Sequence, residues 1–341
     1  MRAMAFSLKG IRSQSQGNQG FALMIVIVVM LLASFLASQL IFKVKAELVI
    51  AHNVKSRAIG NYLAEAGVNL GIFRLLDKPK ELPDFGEEEE WDNFFEGFEY
   101  ELFLENGRVA YYVANESGKI DLNKSNQVLI ELFLEYHLGE ESEDQIAMIV
   151  DSLLDWRDSD DLHRLNGAES ETYEGLDDPY IAKNGPITDP SEFFLVNGTD
   201  SMREKFHAMD IFTVYNTAGK INFNSLTPAM LDFLTAGDNE KMEAYREAKK
   251  EFSGKLSSSL ASEILGDRFA ELSPYMTYSS GNVQYYYVVG SGQPGLTESD
   301  GEESEMDEDA PKTKVPGARN SVLIKKESSK YTYIAWREVY I

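Results

Sequence analysis

The chain has 341 residues, no cysteine and a formal net charge of −24, from 32 lysines and arginines against 56 aspartates and glutamates. Disulfides, thiolate metal sites and a cysteine nucleophile are excluded. So negative a surface repels nucleic-acid phosphates, which argues against nucleic-acid binding, and it favours divalent cations and basic partners.

The first element is Phe21 to Phe42, twenty-two residues without a charge. About 20 apolar residues suffice to cross the hydrocarbon core of a bilayer as a helix. A polar leader, residues 1–20, precedes it with Arg2, Lys9 and Arg12 and no acid. A cleaved secretory signal has an apolar region of about 7–15 residues, so this run is too long for one. A plain membrane anchor is the simpler reading, with the basic leader kept cytoplasmic. The junction adds a third: Gly20 followed by Phe21 at the start of the run resembles the processing site of type IV pilin-like proteins. The resemblance implies that a prepilin peptidase cuts between Gly20 and Phe21, that Phe21 is then N-methylated, and that the helix stays with the mature chain.

Beyond Phe42, Val44, Leu48, Ala51, Ala58, Tyr62, Ala66, Leu70 and Phe73 recur at helical spacing. One helix is therefore expected from Phe21 to about Leu76, stopped at Asp77-Lys78-Pro79. Gly60, Gly67 and Gly71 lower its propensity and point either to close packing or to a bend. Residues 80–96 read as a solvated loop. Alternation from Phe98 to Leu104, a turn at Asn106-Gly107 and alternation again through Val113 predict a β-hairpin.

From Lys119 the period turns helical, in VLIELFLEYHL and then EDQIAMIVDSLLDW. The second helix runs into Asp155-Trp156-Arg157-Asp158-Ser159-Asp160-Asp161, followed by Asn166-Gly167-Ala168-Glu169. Counted from Asp158, Asp160 and Glu169 fall at the third and twelfth positions of an EF-hand loop, but Leu162 and His163 break the pattern. Two readings stay open: an irregular oxygen cage for Ca²⁺, or an exposed acidic cap that binds nothing specific. His163 reads as a surface histidine.

Downstream, Pro190 to Leu195 starts a short helix and Phe212 to Tyr215 is extended. Ser117 to Asn123 is repeated class by class at Ala218 to Asn224, and each copy leads into helices, which suggests two related helical modules. Residues 239–271 are helical and charged. Strands are expected at Val283–Val289, Ser321–Lys326 and Tyr331–Tyr340. Between the first two, eight acids from Glu298 to Asp309 predict a disordered loop. Gly290, Gly292 and Gly295 fit a dinucleotide-binding spacing, but no helix follows, so that reading is dismissed. A metal-assisted hydrolase built on Asp155 to Asp161 lacks a recognisable base or nucleophile, and no enzyme is expected.

Taken together, the chain resembles the type II secretion protein K family. The matching residues are Gly20-Phe21 with its apolar helix, Glu116 to Ile120 with Asn123, Asp155 to Asp161, Asn166 to Glu169, Asn184-Gly185-Pro186, Gly219 to Asn222 with Asn224, and Trp336-Arg337-Glu338. Pilin-like proteins usually carry a glutamate five residues after the cut. Here the position is Ile25, and the protein K family also lacks that glutamate, which suits a subunit at a filament tip. The resemblance implies an α+β fold: a long N-terminal helix packed on an antiparallel sheet, with a large helical domain inserted between strands.

The divisions expected are a leader at 1–20, a helix at 21–76, the first sheet part at 77–118, a helical insertion at 119–281 with a calcium loop near 155–178, and final strands at 282–341 around an acidic loop at 296–316. The resemblance further implies Ca²⁺ held by Asp155, Asp158, Asp160 and Glu169, with Asp161 beside them. It implies a tip complex with the minor pseudopilins I and J, contact with H and the major pseudopilin G, and processing by prepilin peptidase. The chain would pass once through the inner membrane lipid with its bulk in the periplasm. A minor pilin of a type IV pilus and an anchored calcium-dependent enzyme are the alternatives.

Overall fold

The computed structural model describes residues 18–76, 94–216, 218–279, 281–295, 317–327 and 330–340. The leader as far as residue 17, the acidic segment 77–93 and the loop 296–316 lie outside the described residues. The chain divides into two compact units, residues 1–56 and 57–341.

Helix α1 runs from Asn18 to Leu76, beginning three residues before the expected Phe21. Its window of highest mean hydropathy reaches 2.8, and it is the one helix among the described residues long and apolar enough to cross a membrane. Residues 21–55 are exposed along it, including Phe21 and Ile25.

In the second unit an antiparallel sheet is ordered β1-β2-β7-β8-β9, from β1 (Tyr100–Leu104), β2 (Gly107–Asn115), β7 (Tyr285–Pro294), β8 (Ala318–Glu327) and β9 (Lys330–Tyr340). The Asn106-Gly107 turn closes the first hairpin as its sequence predicts, with Leu104 opposite Gly107. The last strands also form, but β7 continues to Pro294, past the Val289 at which the apolar run stops.

The C-terminal turns of α1 lie on this sheet. Val68, Ile72 and Leu75 pack with Val113, Val288, Val322 and Ile324. Its glycines serve close packing. A methyl group on Gly67 would stand 3.0 Å from both Ala110 O and Gly290 Cα, and one on Gly71 would stand 2.6 Å from Val288 Cγ1. The strand answers in kind: Gly290 and Gly292 face backbone atoms of Ala64, Val68 and Gly60. The spacing that imitates a dinucleotide loop is thus a seat for a helix.

Between β2 and β7 the chain builds a helical body. It holds α2 (Gln127–Leu138), α3 (Glu143–Arg157), α4 (Ser170–Glu174), α5 (Ala208–Ile211), α6 (Pro228–Thr235), α7 (Asn239–Glu251), α8 (Ser258–Leu265) and α9 (Arg268–Leu272) around one apolar core. The segment at Pro190–Leu195 is 3₁₀ rather than α, opened by a capping box between Asp189 and Glu192.

The sequence repeat is a structural repeat. Residues Ile120–Asp121 (β3) pair in parallel with Phe212–Thr213 (β4), and Ile221–Asn222 (β5) pair in parallel with Met276–Thr277 (β6). Leu122 N donates to Thr213 O at 3.0 Å and Phe223 N to Thr277 O at 2.8 Å. Asp121 and Asn222 each accept a backbone N–H two residues on. Asn123 clamps the backbone of Ile187 from both ends of its amide, as Asn224 clamps Leu256. The copies also abut reciprocally: a Cβ on Gly118 would overlap Ser225 O, and one on Gly219 would stand 2.5 Å from Lys124 O. The match extends upstream of the segment legible in sequence, since Asn115 accepts from Ser117 N as Asn216 does from Ala218 N.

His137, in the last turn of α2, lies among the rings of Phe133, Tyr136 and Phe206, 4.6 to 5.0 Å between centroids. Its Nε2 is buried without a partner. Burial, then the Lys205 ammonium, pushes its pKa down to about 4, against a smaller opposing pull from Asp232. The folded state keeps this ring neutral where the unfolded chain takes up a proton. Its contribution to stability is therefore present above pH 6.5 and is lost as pH falls from 6.5 towards 4, by about 2 kcal/mol allowing for partial exposure. An imidazole NMR titration of the folded chain should show this ring still neutral at pH 5; a midpoint near 6.5 refutes the assignment.

Candidate functional site: an acidic loop at the end of a helix

Helix α3 carries Glu143 and Asp144 in its first turn and Arg157 in its last, complementing its dipole. Trp156 anchors its end. The indole is buried, edge-on to Tyr173 at 5.2 Å and to Tyr180 at 6.1 Å between centroids. Asp155, one residue earlier, is also fully buried. The pairing of an aspartate with a tryptophan fixes the loop: the ring fills the core while the carboxylate receives the chain that returns over it.

That return is tight. Arg164 N donates to Asp155 Oδ2 at 3.0 Å. A Cβ on Gly167 would overlap the same oxygen, so only glycine lets the loop pass there. Arg164 Nη1 donates to Asp155 Oδ1 and, at 2.7 Å, to Asp158 Oδ2. Asp151 receives the backbone and side-chain N–H groups of Asn166, each at 3.1 Å.

Of the carboxylates predicted to bind calcium, three are turned inward and two are not. Asp155 and Glu169 are buried and Asp158 is half-buried. Asp160 and Asp161 are exposed, and Asp160 accepts the Leu162 N–H at 3.1 Å, a local turn bond. His163 is exposed with its Nδ1 3.0 Å from Arg164 O, a surface residue as its sequence context suggests. Both Glu169 carboxylate oxygens and Asp158 Oδ1 are buried without a hydrogen-bond partner. Burial, then the charges of Asp155 and Asp158, pushes the Glu169 pKa up to about 7.

This tests the fit of a calcium ion. Unpartnered buried carboxylate oxygens suit a hard divalent cation, which takes oxygen ligands in flexible geometry. Among the described residues, however, no three acidic or histidine side chains stand close enough together to hold a metal ion. Asp155, Asp158 and Glu169 suit calcium as oxygen donors but not in their spacing, and Arg164 bridges the first two.

Other residues singled out in sequence gather nearby. Lys183 Nζ bonds both oxygens of Glu192, at 2.6 and 2.7 Å, just before Asn184-Gly185-Pro186. Arg337, from the Trp336-Arg337-Glu338 end, donates to Asp189. Sequence reading missed Arg164 and Asp151. The only available signal was their nearness to the acidic run, which does not say which way a side chain turns.

Residues 113–205 match the family described as type II secretion system (T2SS), protein K. The resemblance to protein K is borne out. The protein K segment begins in β2 and contains α2, α3, the acidic loop and the Asp189 capping box. A chain of "The Crystal Structure of the GspK-GspI-GspJ complex from enterotoxigenic Escherichia coli Type 2 Secretion System" is similar at 14% identity and a TM-score of 0.46, covering 87% of this chain and 99% of that one. No curated protein matches.

Proposed function

We propose that the chain is a minor pseudopilin at the tip of the periplasmic pseudopilus of the type II secretion system, where it initiates assembly and helps export folded proteins across the outer membrane. The observation that carries this reading is the setting of the protein K segment: it is inserted between strands of a sheet that also seats the C-terminal turns of α1, whose N-terminal turns are uncharged and apolar. The role is structural rather than catalytic. Prepilin peptidase cuts between Gly20 and Phe21, Phe21 is N-methylated, and the apolar turns of α1 hold the chain in inner-membrane lipid before passing into the filament. Ile25 offers no carboxylate to the amino terminus of a subunit above, as a tip position requires. The partners are the minor pseudopilins I and J, the names borne by the companions of the Escherichia coli protein, with H and the major pseudopilin G below.

Ca²⁺ belongs to the same reading. Asp155, Asp158 and Glu169 would hold it, with Asp160 and Asp161 on the exposed side of the loop, and the ion would neutralise the buried Glu169 carboxylate, whose oxygens have no hydrogen-bond partner.

Mass spectrometry of the membrane-extracted native protein tests the reading. The expected chain begins at a methylated Phe21. A chain beginning at Met1 would overturn the pseudopilin assignment and leave an anchored protein.

A further inference from the structure

We infer that the groove between α7 and α8 is a docking site for a basic amphipathic helix of another protein. It belongs to the second helical module, outside the residues 113–205 that match protein K. The site adds a class of partner to the pseudopilin reading and needs no calcium.

Helix α7 gives little of itself to the core. Of its 13 residues only Tyr245 and Lys249 are buried. Lys249 Nζ donates to Glu96 O and Asn224 O at 2.7 and 2.9 Å, so that charge is turned inward. Ala244 and Ala248, one turn apart, join Leu260 and Ile264 of α8 in lining a groove of about 540 Å³. Phe252 also borders it, with 43% of its surface exposed. The two alanines leave room for another backbone to come close, and the apolar lining is area that a partner can take from water.

The rim decides what that partner is. Glu240, Glu247 and Glu251 stand on α7 and Glu263 on α8, all four exposed. Among the described residues none of these carboxylates forms an ion pair, while the neighbouring bases are engaged, Lys241 at 3.9 Å from Asp238 and Arg246 at 3.2 Å from Glu243. Four unpaired carboxylates around an apolar floor are complementary to apolar side chains flanked by lysine or arginine. The same charges repel anionic lipid and nucleic acid. Both walls are helices whose backbone groups bond within themselves, so no strand edge is on offer and the occupant must satisfy its own backbone, as a helix does.

Fluorescence anisotropy tests this, with the full chain in nanodiscs of zwitterionic lipid and empty nanodiscs as background. The probe is a labelled synthetic helix of about 20 residues, with leucine and alanine on one face and lysine along its borders. A second helix carries glutamate in place of each lysine. The lysine helix should bind saturably and the glutamate helix should not. Glu247→Gln with Glu251→Gln should weaken binding about fivefold or more, and raising salt from about 50 to about 300 mM should weaken it more in wild type than in this variant. Both positions are exposed, so the variant should keep the melting midpoint of wild type. Ala248→Arg, which sets a long side chain and a like charge on the floor, should weaken binding about tenfold or more; should it not fold, the glutamine pair carries the test. Glu171→Gln with Glu174→Gln removes the same charge from exposed positions of α4 and should leave binding unchanged. Equal weakening by this control pair would show attraction to net charge alone and overturn the inference. Unchanged binding by the groove variants, or no saturable binding of the lysine helix, would overturn it as well.

Discussion

Replacing Gly290 by valine should cost about 3 kcal/mol or more of folding stability, read as a fall in the urea midpoint of the full chain in detergent. At this position β7 passes directly beneath α1. A Cβ there would collide with the Ala64 carbonyl oxygen and stand 2.6 Å from Val68 N. Both are backbone atoms of a helix, so no side chain can rotate aside. The opposing residue on the helix is itself a glycine, Gly67, whose added Cβ would in turn meet Gly290 Cα at 3.0 Å. Overpacking commonly costs about 1–3 kcal/mol. With two backbones in contact the helix must lift, and Val68, Ile72 and Leu75 would lose part of their burial against Val113, Val288, Val322 and Ile324. Gly175→Ala is the control. Gly175 has φ −82°, and the nearest atom to an added Cβ is 3.5 Å away, so its midpoint should barely move. A Gly290→Val chain as stable as the control would show that α1 does not seat as described.

The second large effect is expected at Asp210. This residue of α5 is buried, and its carboxylate accepts Tyr112 Oη at 2.7 Å and Arg319 Nη2 at 2.5 and 2.7 Å. Tyr112 stands on β2 and Arg319 on β8, so one carboxylate fastens the helical body to two strands of the sheet. Burial above all, then the Asp210 charge, holds the Tyr112 phenol well above its usual pKa. Breaking a buried ion pair by removing one partner costs about 3–5 kcal/mol, because the other charge is stranded. Asp210→Ala should lose that amount in denaturant titration. Arg319→Met in the same chain should restore part of it, since the stranded guanidinium is gone. Additive losses from the two substitutions would refute the coupling.

Much of this architecture is legible in the chain itself. The apolar run, the Asn-Gly hairpin, the late strands and the repeated Gly-Lys-Ile segment follow from composition, period and turn chemistry, which act over a few residues. The Asp-Trp block also announces itself, because a buried tryptophan beside an aspartate at a helix end is a local arrangement. What the sequence left open was decided by atoms distant along the chain. Gly60, Gly67 and Gly71 could pack or bend a helix, and the sheet settles the choice by presenting Gly292 to Gly60, Gly290 to Gly67 and Val288 to Gly71. That contact also removes the nucleotide-binding reading of the same glycines, since the space is filled by α1. The acidic run divides into inward Asp155, Asp158 and Glu169 and outward Asp160 and Asp161 only once the loop folds back on α3 and brings Arg164 over it.

By itself, then, the sequence determined the main secondary elements and the duplication, because local propensity and patterning carry those, and its motifs carried the resemblance to protein K. The tertiary structure decided which glycines touch, which carboxylates are buried and which cation faces them. Desolvation and steric exclusion depend on neighbours that spacing along the chain does not reveal.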